Sequence, residues 1–275
     1  MKVLSNVHTH TLYCDGENTV EEMAAGAVSL GMTTLGFSGH SPLDHPAGSG
    51  WAMTPEAFQS YKEDVAAARE KYAGRLEILC GLELDYDSSP EWGRDLDFII
   101  GSVHQLMPDG DFCSVDNVPE EVDDAVNRHF GGCYYSYCAA YYDKLSGICE
   151  RTGCDIVGHF DIVTKFNGEF RRFDENDPRY RGPAINCLRK LVNNGAVFEI
   201  NTGGISRGYR TTPYPAPWIL REISRLGGSV ILTSDAHSAA TLLHGFDKGA
   251  DLAAACGFDS VKALTAKGFI DLPVR

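Results

Sequence analysis

Val7-His8-Thr9-His10, with Asp15 following, is the stretch whose reading decides the fold. In a β-strand alternate side chains share a face, so His8 and His10 project together from one strand end. Two imidazoles with a carboxylate a few residues on supply N and O donors suited to zinc, manganese or iron. Alone, such a pair is more often a solvated surface feature than a metal site. The same residue types recur, however, at the end of nearly every later strand.

Working outward, a short apolar run, a loop and a helical stretch alternate along the chain. Lys2 to His8 reads as the first strand. Thr19-Val20-Glu21-Glu22 is a capping box for a helix that stops at Gly31. Thr34 to His40 is the second strand, and Thr54-Pro55 opens a helix to about Tyr72. Leu76 to Leu84 and Phe98 to Gln105 are the third and fourth strands. The acidic stretch from Leu106 to Gly132 reads as an insertion over the active face, followed by an aromatic-rich helix from Tyr134 to Arg151. Asp155 to Val163, Val197 to Thr202 and Ser229 to Thr233 are the fifth, sixth and seventh strands. Pro183 to Asn194 and Pro217 to Leu226 are helical, and the tail carries a helix near Asp247 to Cys256 and a last apolar run. Such alternation implies an α/β fold with a parallel sheet, closed into a barrel or, as the alternative, left open.

At the carboxyl ends of these strands stand His8 and His10, His40, Glu83, His104, His159, Asn201, and Asp235 with His237. In a β/α barrel those ends share one mouth, where such enzymes build their sites. Six of the nine histidines sort to these positions, which scattered histidines would not do. Singly, His40 reads equally as a turn residue, Glu83 as a paired core acid and Asp235 as a helix cap. His45, His129 and His244 lie off the strand ends and read as surface or supporting residues.

Length and charge narrow the classes. The 275 residues fit one large domain or two small ones. A formal net charge of −14 disfavours a nucleic-acid or anionic-membrane partner. No apolar run reaches membrane-span length, and the start lacks a signal-peptide core, so a cytoplasmic location is expected. The nine cysteines include no Cys-x-x-Cys pair, which favours reduced thiols over a disulfide scaffold. Cys14, beside Asp15, is the one to watch for oxidation. No feature of the sequence fixes an oligomeric state.

His8-x-His10, Asp15, His40, Glu83, His104, His159 and Asp235-x-His237 together resemble the ligand set of the polymerase and histidinol phosphatase (PHP) superfamily of metal phosphoesterases. The local phrasing around His8, His40, His104 and His159 is most similar to stand-alone histidinol-phosphate phosphatases. The resemblance implies a single domain over residues 1–275, a distorted (β/α)7 TIM-like barrel, and three divalent ions (Zn, Fe or Mn). It places one ion on His8, His10, Glu83 and Asp235, a second on Glu83, His104 and His159, and a third on Asp15, His40 and His237. Many members carry histidine where this chain has Asp15, a harder, anionic donor that shifts metal preference.

The implied activity is hydrolysis of a small phosphorylated metabolite, histidinol phosphate first, by a bridging hydroxide in line with the leaving group. Glu83, Asp15 and His237 are the candidate catalytic residues. Asp15 and His237 are also expected metal ligands, so the acid that protonates the leaving group is not assigned. Arg207, in a glycine-flanked loop, and Lys165 are the expected phosphate contacts, with Arg171, Arg172 and Arg210 also in reach. Asp161, Asp44 and Trp51 are expected at the cationic end of the substrate. Rival readings are a nucleotide or sugar phosphatase, a phosphodiesterase, and a metal-binding module without turnover.

Overall fold

The computed structural model describes residues 5–274; Lys2, Val3 and Leu4 of the expected first strand lie outside them. The elements are β1 (Ser5–Asn6), α1 (Val20–Ser29), β2 (Thr34–Phe37), α2 (Pro55–Lys71), β3 (Glu77–Asp85) and β4 (Phe98–Ser102). Next come β5 (Gln105–Leu106), β6 (Cys113–Ser114), α3 (Pro119–His129), α4 (Tyr134–Leu145), α5 (Ile148–Thr152), β7 (Ile156–Val157) and α6 (Asn167–Phe170). The chain continues through α7 (Pro178–Asn193), β8 (Val197–Asn201), α8 (Gly203–Ser206), α9 (Pro217–Arg225) and β9 (Ser229–Thr233). It ends with α10 (Phe246–Ala255), β10 (Ser260–Thr265) and β11 (Gly268–Pro273).

One nine-stranded sheet runs in the order β1-β2-β3-β4-β7-β8-β9-β10-β11. Its first seven strands pair in parallel, in sequence order, as successive β/α units require. Two links draw β1 back towards the far side. Thr9 bridges Ala236 beyond β9 through two backbone hydrogen bonds of 2.8 and 3.1 Å, and Ser5 Oγ donates to Leu264 O of β10 at 3.2 Å. The expected distorted seven-unit barrel is thus the observed fold, extended by the antiparallel β10–β11 pair.

Period-2 alternation carries the interior from floor to mouth. Leu79, Ile100, Val197 and Ile231 form part of one buried apolar cluster. Two or four residues farther along the same strands stand Glu83, Ser102, Glu199 and Thr233, all buried and polar. Phe98 fills the floor only because Gly81 faces it, since a Cβ there would lie 2.4 Å from the ring. Outside the sheet, α1 and α2 cover β2 and β3 in a second apolar cluster. The capping box is present, with Thr19 Oγ1 accepting from Glu22 N and the Glu22 carboxylate accepting from Thr19 N, an arrangement worth about 1 kcal/mol.

Five expectations are corrected. The stretch from 106 to 132 is a short hairpin plus α3, whose Val118-Pro119-Glu120-Glu121 start is a proline-first helix opening. The aromatic helix breaks at Ser146-Gly147 into α4 and α5. The fifth strand shrinks to Ile156–Val157, because the chain turns after His159 into a single helical turn at Ile162–Thr164. Then α7 starts at Pro178 under an Asp177 cap, with Pro183 inside it, and β10 stands between the expected tail helix and the last apolar run, where no strand was expected.

Candidate metal centre

Glu83 stands at the centre of the mouth, 1% exposed, and its two oxygens address different histidines. Oε1 lies 2.9 Å from His159 Nε2 and 3.3 Å from His104 Nε2, and it accepts a 2.7 Å hydrogen bond from Ser102 Oγ. Oε2 lies 3.0 Å from His40 Nδ1, 3.3 Å from His8 Nε2 and 3.6 Å from His10 Nε2. Asp235 Oδ1 completes the second group at 3.2 Å from His10 Nε2 and 3.7 Å from His8 Nε2. Asp15 Oδ2 sits 3.2 Å from His237 Nε2 and 3.7 Å from His40 Nε2. His40 therefore turns one nitrogen to Glu83 and the other to Asp15.

The donor chemistry fits divalent cations. His8 Nε2, His10 Nε2 and His40 Nδ1 are buried beside carboxylates yet make no hydrogen bond. Buried polar atoms are seldom left so, and lone pairs converging on shared points are what metal ligands present. Donor atoms gather within 4.8 Å in three groups: His10, Asp15, His40 and His237; His8, His10 and Asp235; His40, Glu83 and His104. Those groups hold eight of the nine expected ligand positions, and His159 joins them at the same mouth through Glu83 Oε1. The groups differ from expectation in placing His40, rather than His159, with Glu83 and His104, in leaving Glu83 out of the His8, His10 and Asp235 group, and in adding His10 to the Asp15 group. His159 Nε2 still lies 3.3 Å from His104 Nε2.

Burial by itself would raise the Glu83 and Asp235 carboxyls. The histidines around Glu83, and Arg207 with His8 around Asp235, outweigh it and hold both well below the usual carboxylate range. Burial likewise opposes a proton on His8 and His104, yet the anions beside them push both well above the ordinary imidazole value. That concentration of negative charge attracts a divalent ion for the same reason. Asp235 takes up a left-handed backbone, φ +48°, which a non-glycine residue adopts at an energetic cost typical of functional sites.

Two orienting residues were missed in the sequence. Glu199 accepts from His8 Nδ1 at 2.6 Å and from His159 N at 2.8 Å, so it aims one histidine and anchors the start of another. Asp85 lies 3.2 Å from His104 Nδ1, which frees that ring's Nε2 to face Glu83. Both lie on the inward phase of their strands, two residues from Asn201 and Glu83; that phase was the available signal. Glu199→Gln is expected to weaken metal binding by roughly 10- to 100-fold, as loss of such an orienting partner does. Competitive titration against a chromophoric chelator checks this.

A cleft of about 760 Å³ opens over the ligands, lined by Arg207, Lys165, Tyr209, Trp51, Asp116 and the acidic face of α3. Arg207 Nη2 donates to Asp235 Oδ2 at 2.8 Å, and Nη1 lies 3.3 Å from His237. Lys165 bonds the Asp116 carbonyl and lies 4.6 Å from the centre of the Tyr209 ring. The remaining expected contacts stand elsewhere. Asp161 is fully buried behind the wall, accepting from Ala216 N, and Asp44, Arg171, Arg172 and Arg210 do not line the cleft. Arg172 instead binds Asp123 and Tyr134. Of the other histidines, His45 stacks on Phe112 and His129 pairs with Asp111.

Comparison with known proteins places this geometry. The PHP domain model matches residues 6–203. A protein of Deinococcus radiodurans named "Probable histidinol-phosphatase" is 32% identical over 86% of this chain and 87% of its own. A solved structure from Listeria monocytogenes superposes with a TM-score of 0.79 at 23% identity, over 88% of this chain and 98% of that one. A histidinol phosphate phosphatase from Lactococcus lactis, solved with zinc, L-histidinol and phosphate, does so with a TM-score of 0.68 at 19% identity, over 98% and 100% of the two chains. The two structures share the barrel. The domain match and the Deinococcus relative carry the assignment, and the chain belongs to the PHP domain family.

Proposed function

We propose that this chain is a metal-dependent phosphatase that converts L-histidinol phosphate and water to L-histidinol and phosphate. The observation that carries the reading is the division of Glu83, one oxygen towards His104 and His159 and the other towards His8, His10 and His40. A carboxylate shared in this way suits two cations a few ångströms apart. Support for the substrate comes from the Deinococcus relative's name and from the ligands held by the Lactococcus enzyme.

In this reading residues 1–275 form one domain, since Asp235 and His237 lie past the matched region yet close on His10. Three ions (Zn, Fe or Mn) are held by the nine ligands, which reach from His8 to His237. When bound, they supply a hydroxide near neutral pH and neutralise charge growing on the phosphoryl oxygens. The chain's own groups do the rest. Arg207 and Lys165 line the wall over the ligands and take the phosphate oxygens, Arg207 by a planar fork and Lys165 as a point charge. Glu199 and Asp85 fix the tautomers of His8 and His104. Among the described residues no helix is long and apolar enough to cross a membrane.

Phosphate release by the metal-loaded protein tests this, with histidinol phosphate set against nucleotide and sugar monoesters and a diester. Histidinol phosphate is expected to show the highest kcat/KM of the panel. Preference for another monoester would move the assignment within phosphatases, preference for the diester would move it outside them, and no turnover would leave a binding module.

A further inference from the structure

Asp161 was expected among the substrate contacts, but the structure puts it behind the cleft wall, where it joins two loops. The first follows β7 and carries His159 and Lys165. The second, residues 203–217, carries Arg207 and Tyr209. Asp161 Oδ2 accepts from Ala216 N of the second loop at 2.9 Å, and Asp161 O accepts from Thr164 N and Thr164 Oγ1 in its own loop at 2.9 and 2.8 Å. Arg210 crosses back from the second loop to the first, donating through Nη1 to Thr164 Oγ1, while its guanidinium lies 4.9 Å from the centre of the Tyr214 ring. Arg210 N also donates to Gly204 O at 3.0 Å, which ties this crossing to the turn that presents Arg207. Lys165 is the next residue after Thr164. The two cations of the cleft wall therefore hang from opposite ends of one buried linkage.

We infer that Asp161, Thr164 and Arg210 form a positioning clamp that sets the placement of Lys165 against Arg207 and thereby the affinity of the cleft for a phosphate group. The inference rests on the phosphatase reading for the role of the two cations. The clamp touches neither substrate nor the nine metal ligands through its side chains, so it acts by geometry. A charge-assisted hydrogen bond to a phosphate oxygen is lost once donor and acceptor part by about 1 Å, an effect on the order of tenfold in affinity. Release of one loop from the other permits such a displacement without altering any charge in the cleft.

The test reads phosphate binding directly, by calorimetry with inorganic phosphate on the metal-loaded protein, alongside metal content and kinetics. Asp161→Ala removes the acceptor for Ala216 N, and Arg210→Ala cuts the linkage from the other loop. Each is expected to weaken phosphate binding and raise KM by roughly tenfold, the worth of one hydrogen bond to a charged group, with kcat and metal content near wild type. Asp161→Asn, which keeps an oxygen for Ala216 N, is expected to stay within about threefold of wild type, given the modest net worth of one hydrogen bond. The double Ala variant is expected to lose little more than either single, because both break one linkage. Arg207→Ala serves as the scale for outright loss of a phosphate contact. Wild-type phosphate affinity in Arg210→Ala, or a loss matched by metal loss, overturns the clamp, and Arg210→Ala decides the matter if Asp161→Ala fails to fold. If the wild type binds phosphate but hydrolyses no monoester, the phosphatase reading falls while this test still stands.

Discussion

Glu83→Gln is expected to lower kcat/KM at least a thousandfold, about 4 kcal/mol of lost transition-state stabilisation. The substitution keeps the shape of the side chain and changes one oxygen to an NH2 donor. Both oxygens of Glu83 already face imidazole nitrogens, so either orientation of the amide points hydrogens at atoms that offer lone pairs to a cation. The change also removes the buried negative charge that five histidines surround. Elemental analysis of the purified variant should show loss of metal, and steady-state kinetics should show the matching loss of turnover. More than a tenth of wild-type activity in this variant would end the case for a shared carboxylate.

Removal of metal is the second large effect. Dialysis against a strong chelator should reduce activity at least a thousandfold, and zinc, manganese or iron(II) should restore it to an extent that ranks the three. Thermal stability should follow, because an ion that binds only the folded chain stabilises it by roughly 4 kcal/mol at a thousandfold excess over Kd. The buried anions Glu83, Asp235 and Glu199 make the direction clear: they stand together at one mouth, where a divalent cation offsets their charge. Undiminished turnover after verified removal of metal would exclude metal chemistry at this mouth.

The barrel and its ligands were legible because both follow rules of spacing. Strand ends punctuated by His or an acid, helices opened by Thr19 and Thr54 and closed by glycine, and the His8-x-His10 pair all speak through near neighbours in the chain. Glu199 and Asp85 do not. Each is an acid on the inward phase of its strand whose meaning comes from a histidine elsewhere in the chain, His8 lying 191 residues from Glu199. Asp161 was misplaced for a related reason. Its position two residues past His159 suggests the same face, but β7 ends at Val157, and the period of two no longer holds where the chain begins to turn. Charge hid α3. An acidic stretch reads as loop until one side of it, Val122, Ala125 and Val126, is seen against the core.

The bridge from Thr9 to Ala236 also dictates when the active mouth exists during synthesis. Asn6 and Ser234, whose side chains meet at 2.7 Å, are separated by 228 residues, so the ligands at the two ends of the set come together only after the β9 unit has emerged. Earlier β/α units pair with their sequence neighbours and can mature in turn, whereas closure waits for the last of them. A nascent chain stalled short of Asp235 would hold most of its barrel and lack a complete cation cage. The two donor groups that need Asp235 or His237 therefore form only at this late closure, whereas His40, Glu83 and His104 belong to units made much earlier.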